Sequence, residues 1–180
     1  MKSTASTVGF LLLLAFIFTF CFNSCSPTNP DCFQYADQSF CARINGEIDG
    51  EKFDAALNFN PSAEGSQPVT SIQFYEPTYM RGICVSTLFD GSSSARLGDI
   101  AVKGVDFERF TSPLQALCSH HSVTRIQKNQ SGEVVVLVEN DGMALEFVFD
   151  GANDSAPKSV TGSVNNLRVE LTVKNFEKSN

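Results

Sequence analysis

The chain of 180 residues is acidic, with 20 Asp and Glu against 13 Lys and Arg and a net charge of −7. That surplus argues against nucleic acid as a partner, because phosphates need clustered Lys and Arg, and against electrostatic docking on anionic lipid. The length beyond the N-terminal segment, 155 residues after Cys25, suits one domain and makes no case for two.

The first 24 residues read as an export signal. A single cation, Lys2, precedes an apolar run over residues 8–22 (VGFLLLLAFIFTFCF) that breaks at Asn23-Ser24-Cys25. The run has 15 residues, whereas a bilayer-spanning helix needs about 20, so it fits a signal core better than a permanent span. The Ser24-Cys25 pair after such a core resembles the lipobox of bacterial lipoproteins, in which the cysteine thiol receives a diacylglycerol. Phe22 stands where that motif usually carries Leu, Val or Ile, so two outcomes are open. Either Cys25 carries a lipid anchor at an extracytoplasmic membrane surface, or cleavage near residues 24–26 releases a secreted product. Residues 25–30 then form anchor and linker, and residues 31–180 a single β-rich domain carrying 12 basic against 20 acidic residues, a net −8.

Asn29-Pro30-Asp31 has the form of a helix start, with Asn as cap, Pro in the first position and an acid in the first turn. A short amphipathic helix is predicted over residues 30–38, with Cys32, Phe33, Ala36 and Phe40 on one side. From Ser39 the period falls to two. Phe40, Ala42, Ile44 and Ile48 alternate with Cys41, Arg43, Asn45 and Glu47, and Phe53, Ala55, Leu57 and Phe59 repeat the pattern after the turn formers Asp49-Gly50. These are two antiparallel strands with one dry face.

Further strands are predicted over residues 69–76, ended by Pro77, over 82–90, and in the weaker pair SSARL and DIAVKG. A second helix is predicted from Thr111 or Ser112, with Pro113 in its first turn and Leu114, Leu117 and Cys118 as its apolar stripe, ending by His121. Strands over residues 133–139, 144–149 and 167–176 close the chain, and residues 122–127 and 159–165 offer two more. The fold class is therefore mainly β (α+β): a curved antiparallel half-barrel sheet, with a short N-terminal helix and a mid-chain helix on its concave side.

This order of elements, together with the segments VTSIQFYEPTYMRGICVS and EVVVLVENDGMALEFVFDG, resembles small exported lipoproteins of gut clostridia whose fold is akin to the lipoprotein-carrier and LppX-like half-barrels. The resemblance spans residues 30–176. It implies a curved sheet around an apolar groove partly lidded by helices, and an acyl chain as a ligand. It transfers no ligand-contacting residue.

The residues themselves point to little chemistry. Cys118, His120 and His121 are the one concentration of soft ligands, but adjacent helical histidines point about 100° apart, so a helix end is the reading. No Gly-x-Ser-x-Gly is present, no catalytic residue is assigned, and neither metal nor cofactor is expected. Glu47, Asp49, Glu51 and Asp54 gather at the first hairpin in a spacing that fits no EF-hand, as a solvated turn would. Cys32, Cys41, Cys84 and Cys118 permit two disulfides in three pairings. The inward set Phe53, Leu57, Phe59, Ile72, Phe74, Leu145, Phe147 and Phe149 is either plain core or the lining of the groove. The expected function is a non-enzymatic, membrane-anchored lipoprotein with a lipid or other apolar ligand in the concave groove. The alternative is a surface interaction or assembly module with a fully packed core and an unknown protein partner.

Overall fold

The computed structural model describes residues 32–103, 107–151 and 156–179, and Asp31–Asn180 forms one compact unit. The segments read from the sequence as export signal, lipidated Cys25, linker and Asn29-Pro30-Asp31 helix cap lie outside the described residues.

The domain is mainly β. Eleven antiparallel strands form one open half-barrel sheet: β1 (Phe40–Ile48), β2 (Glu51–Phe59), β3 (Thr70–Glu76), β4 (Ile83–Thr87), β5 (Ser93–Leu97), β6 (Ile100–Ala101), β7 (Arg125–Lys128), β8 (Val134–Asn140), β9 (Met143–Phe149), β10 (Ser159–Val164) and β11 (Leu167–Lys178). Their spatial order is β6-β5-β4-β3-β2-β1-β11-β10-β9-β8-β7. Each half is a meander, and the two halves meet where β1 pairs with β11, Ile44 opposite Val173 and Ile48 opposite Val169. The hairpins follow from residues that accept positive φ. Asp49 and Gly50 turn β1 into β2 at φ 53° and 83°, and Asn165 and Asn166 turn β10 into β11 at 51° and 66°. Register shifts between Cys41 and Arg43 and between Asp54 and Ala55 are bulges, which bend the strands carrying them.

Alternation places one set of side chains on the buried face, and the pairings align these into rows across the strands. One row runs Ala42, Leu57, Ile72, Val85, Ala95, and the next runs Ile44, Ala55, Phe74. Leu145, Phe147, Val136, Val138, Val160 and Leu171 do the same in the other half and are at most 2% exposed. Two glycines keep the central strands close. A Cβ at Gly46 would stand 1.9 Å from the Glu170 carbonyl oxygen, and one at Gly162 would stand 2.0 Å from that of Ala144.

Two helical pieces cover this face. The helix α1 (Glu108–Gln115) passes into a 3-10 turn, Ala116–Cys118, and buries Phe110 and Leu114. It begins three residues before Thr111, so Pro113 lies inside it rather than in its first turn. The lost backbone bond at Pro113 is outweighed by burial of Phe110, whose ring meets Phe53 and Phe74 at centroid distances of 6.3 and 5.9 Å. The N-terminal piece is a 3-10 turn, Gln34–Asp37, instead of an α-helix. Residues 33 and 35 of an α-helix point about 200° apart, so a regular helix would expose one ring. The turn buries both: Phe33 packs edge-on against Phe147 at 5.1 Å, and Tyr35 against Phe40 at 5.9 Å.

Candidate functional site

The eight inward residues read from the sequence, Phe53, Leu57, Phe59, Ile72, Phe74, Leu145, Phe147 and Phe149, are all buried in the core beneath the two helical pieces. Phe110 and Phe33 occupy the space in front of the rings of Phe53, Phe74, Phe147 and Phe149. This set is therefore packed core and does not line an open groove. Of the eight, Phe59 borders the cleft beside α1, and Phe53 borders a smaller hollow at the first hairpin.

That cleft, of about 920 Å³, lies between α1 and the arm formed by β3, β4 and β5, where the helix has run out of sheet to cover. Its floor follows from the sheet register. The outermost buried-face row runs Phe40, Phe59, Thr70, Thr87, Ser93, changing from rings to hydroxyls as it passes from β2 to β3. The Thr87 and Ser93 hydroxyls are 2.9 Å apart, and Gln115 Nε2 of α1 donates to Thr87 Oγ1 at 3.1 Å. Thr70 is 5% exposed and its hydroxyl has no hydrogen-bond partner among the described residues. An unmet buried hydroxyl costs about 1–3 kcal/mol, so the row holds an unused polar group. The walls mix apolar side chains, Val69, Val85, Leu88, Phe89, Val102 and Phe107, with the polar Ser94, Thr111, Ser112, Gln115 and Ser119. Phe89, in the turn between β4 and β5, is 80% exposed at the rim. The charged lining residues among those described are Lys103 and Glu108, one of each sign.

The helix is held over this space by a clamp at its first turn. Arg109 Nη1 pairs with Glu51 Oε2 at 3.2 Å, Arg109 Nη2 donates to the Ile48 carbonyl at 3.3 Å, and the Tyr79 hydroxyl donates to Glu51 Oε1 at 2.5 Å. Partial burial, then the bond to Glu51, push the Tyr79 phenol up to about 12. The first-hairpin acids are thus dispersed: Glu51 serves this clamp, Asp54 forms a bidentate pair with Arg43 at 2.5 and 2.6 Å, and Asp49 sits in its turn facing the Arg168 amide.

The soft-ligand group also separates. His120 Nε2 meets Asp37 Oδ1 at 2.8 Å, while His121 Nε2 donates to the Ala116 carbonyl at 2.7 Å with its ring 5.1 Å from Phe33. Burial holds the His121 imidazole below its usual range. Cys118 borders the cleft, but burial pushes its thiol up and keeps it protonated, a poor nucleophile. Cys41, Cys84 and Cys118 are free thiols, so the two-disulfide arrangement that four cysteines permit is not formed.

The hydroxyl row is what reading the sequence for apolar alternation passed over. Thr70 stands two before Ile72 and Thr87 two after Val85, so the same period that marked the core also marked them. No protein-family model matches the chain, and no curated protein does. Among the solved structures that match is an uncharacterized conserved protein from Thermus thermophilus, similar over 83% of this chain and 84% of its own, with a TM-score of 0.52 and 15% identity. At that identity the likeness shows a shared fold.

Proposed function

We propose that this chain is a lipid-anchored, extracytoplasmic binding protein without turnover chemistry, which holds a lipid or other apolar ligand in the cleft beside α1. The observation that carries the reading is the cleft itself. Its 920 Å³ falls in the range of small-ligand sites, about 300–1,000 Å³, and its lining sets apolar side chains such as Val69, Leu88 and Phe89 beside a row of hydroxyls. Cys25, after the apolar leader, is the tether, and the likeness to carrier-type half-barrel lipoproteins suits both parts of the proposal. Enclosing an acyl chain would contribute about 0.8 kcal/mol per CH₂ removed from water. The experiment is native mass spectrometry of the full chain gently extracted from membranes. A diacylglyceryl adduct on Cys25 and a further noncovalent lipid mass support the proposal, and a bare polypeptide unchanged by added lipid counts against it.

A second reading has its own observation. Leu97 and Ile100 are 47% and 69% exposed beside β6, a two-residue strand at one free edge of the sheet. An apolar, unpaired edge suits a protein partner, as in an interaction or assembly module. In that case added lipid does not bind, and substitutions at Leu97 and Ile100 abolish association with the protein partner.

A further inference from the structure

We infer that the cleft selects a single-chain amphiphile with an uncharged, hydroxyl- or carbonyl-bearing head, which the Thr70, Thr87, Ser93 row receives. The inference rests on the binding role proposed above and names its ligand class.

Three features carry it. The first is that the floor is polar yet uncharged. Thr87 is tied to Ser93 and accepts from Gln115, while Thr70 at the inner end of the row has no hydrogen-bond partner among the described residues. A plain hydrocarbon on this floor would leave Thr70 unmet and strip Thr87 and Ser93 of water, at a cost for each group left unpaired. A head with a hydroxyl or ester carbonyl supplies the missing partner, because a threonine hydroxyl both donates and accepts.

The second feature is the charge balance. Among the described lining residues Lys103 and Glu108 cancel, so these residues offer an anionic head no net cation to replace its hydration. Burying an ionised carboxylate without a paired cation is heavily disfavoured. The third is the apolar side of the cleft. Val69, Leu88 and Phe89 line it, and Leu88 and Phe89 also line a neighbouring hollow of about 710 Å³ whose other residues include Pro61 and Ala63 beside Ser62, Glu64 and Asp90. An acyl tail can follow Val69, Leu88 and Phe89 while its head stays on the row.

The test is calorimetric titration of the full chain, kept soluble in amphipol, with monodecanoylglycerol and with decanoate at about pH 8, where the carboxylate is ionised. The two share a tail and differ in the head. One or two added hydrogen bonds correspond to an affinity about tenfold higher for the glyceride. Thr87→Val should erase most of that preference and leave decanoate binding as it was, and Thr87→Ser, which keeps the hydroxyl, should restore it. Equal or tighter binding of decanoate, or a preference that survives Thr87→Val, overturns the inference and leaves the binding role standing. If neither probe binds, the inference and the binding role fall together.

Discussion

Replacing Thr70 by valine should make the protein more stable, which is the opposite of what most buried substitutions do. Valine keeps the branched shape and the strand preference of threonine and removes a buried hydroxyl that has no hydrogen-bond partner among the described residues. If the unmet group costs about 1–2 kcal/mol, its removal should raise the midpoint by about 2–4 °C per kcal/mol for a domain of this size. Thermal unfolding followed by circular dichroism, wild type beside Thr70→Val, reads this directly. The same variant should bind monodecanoylglycerol more weakly, since a polar group retained at a cost to the fold is the mark of a site that uses it. A midpoint that falls or does not move would mean that the Thr70 hydroxyl is satisfied, and the argument from it would fail.

Phe110→Ala removes the ring that α1 sets against Phe53 and Phe74, and urea denaturation should show a loss of about 3–5 kcal/mol. Gly46→Ala forces a Cβ against the Glu170 carbonyl where β1 meets β11, and should destabilise by about 3 kcal/mol or prevent soluble expression, as forced overpacking does. The pH dependence follows from His121. Burial lowers its folded pKa beneath the ordinary value, so the unfolded chain takes up the proton first and stability falls as pH drops below about 6.5. Urea midpoints on either side of that pH should show the fall, and His121→Gln should flatten it.

The strands were legible because their cause is local. Alternation in β1, β2 and β11 fixes which side chains face inward, and Asp49-Gly50 fixes the first hairpin through two positive φ angles. The helical pieces were less legible because their bounds are set by what they cover. Pro113 signals a helix start, yet the pull of Phe110 onto Phe53 and Phe74 extends the helix back to Glu108. Likewise Phe33 and Tyr35 both bury, which no helical period would indicate. The cleft lay furthest from the sequence. Periodicity says that Phe53, Phe74, Phe147 and Phe149 face inward, but whether they line a groove depends on where two short helical pieces come to rest on eleven strands. They rest on those rings, and the uncovered ground is the hydroxyl end of the row at β3, β4 and β5.

The most direct measurement uses a convenience of the chain, which has no tryptophan. Phe89→Trp, a conservative change at an 80% exposed position on the rim, installs one indole where an entering tail must pass. Occupation of the cleft predicts a saturable blue shift of its emission as monodecanoylglycerol is added. Emission that remains that of a water-exposed indole throughout the titration would contradict the account.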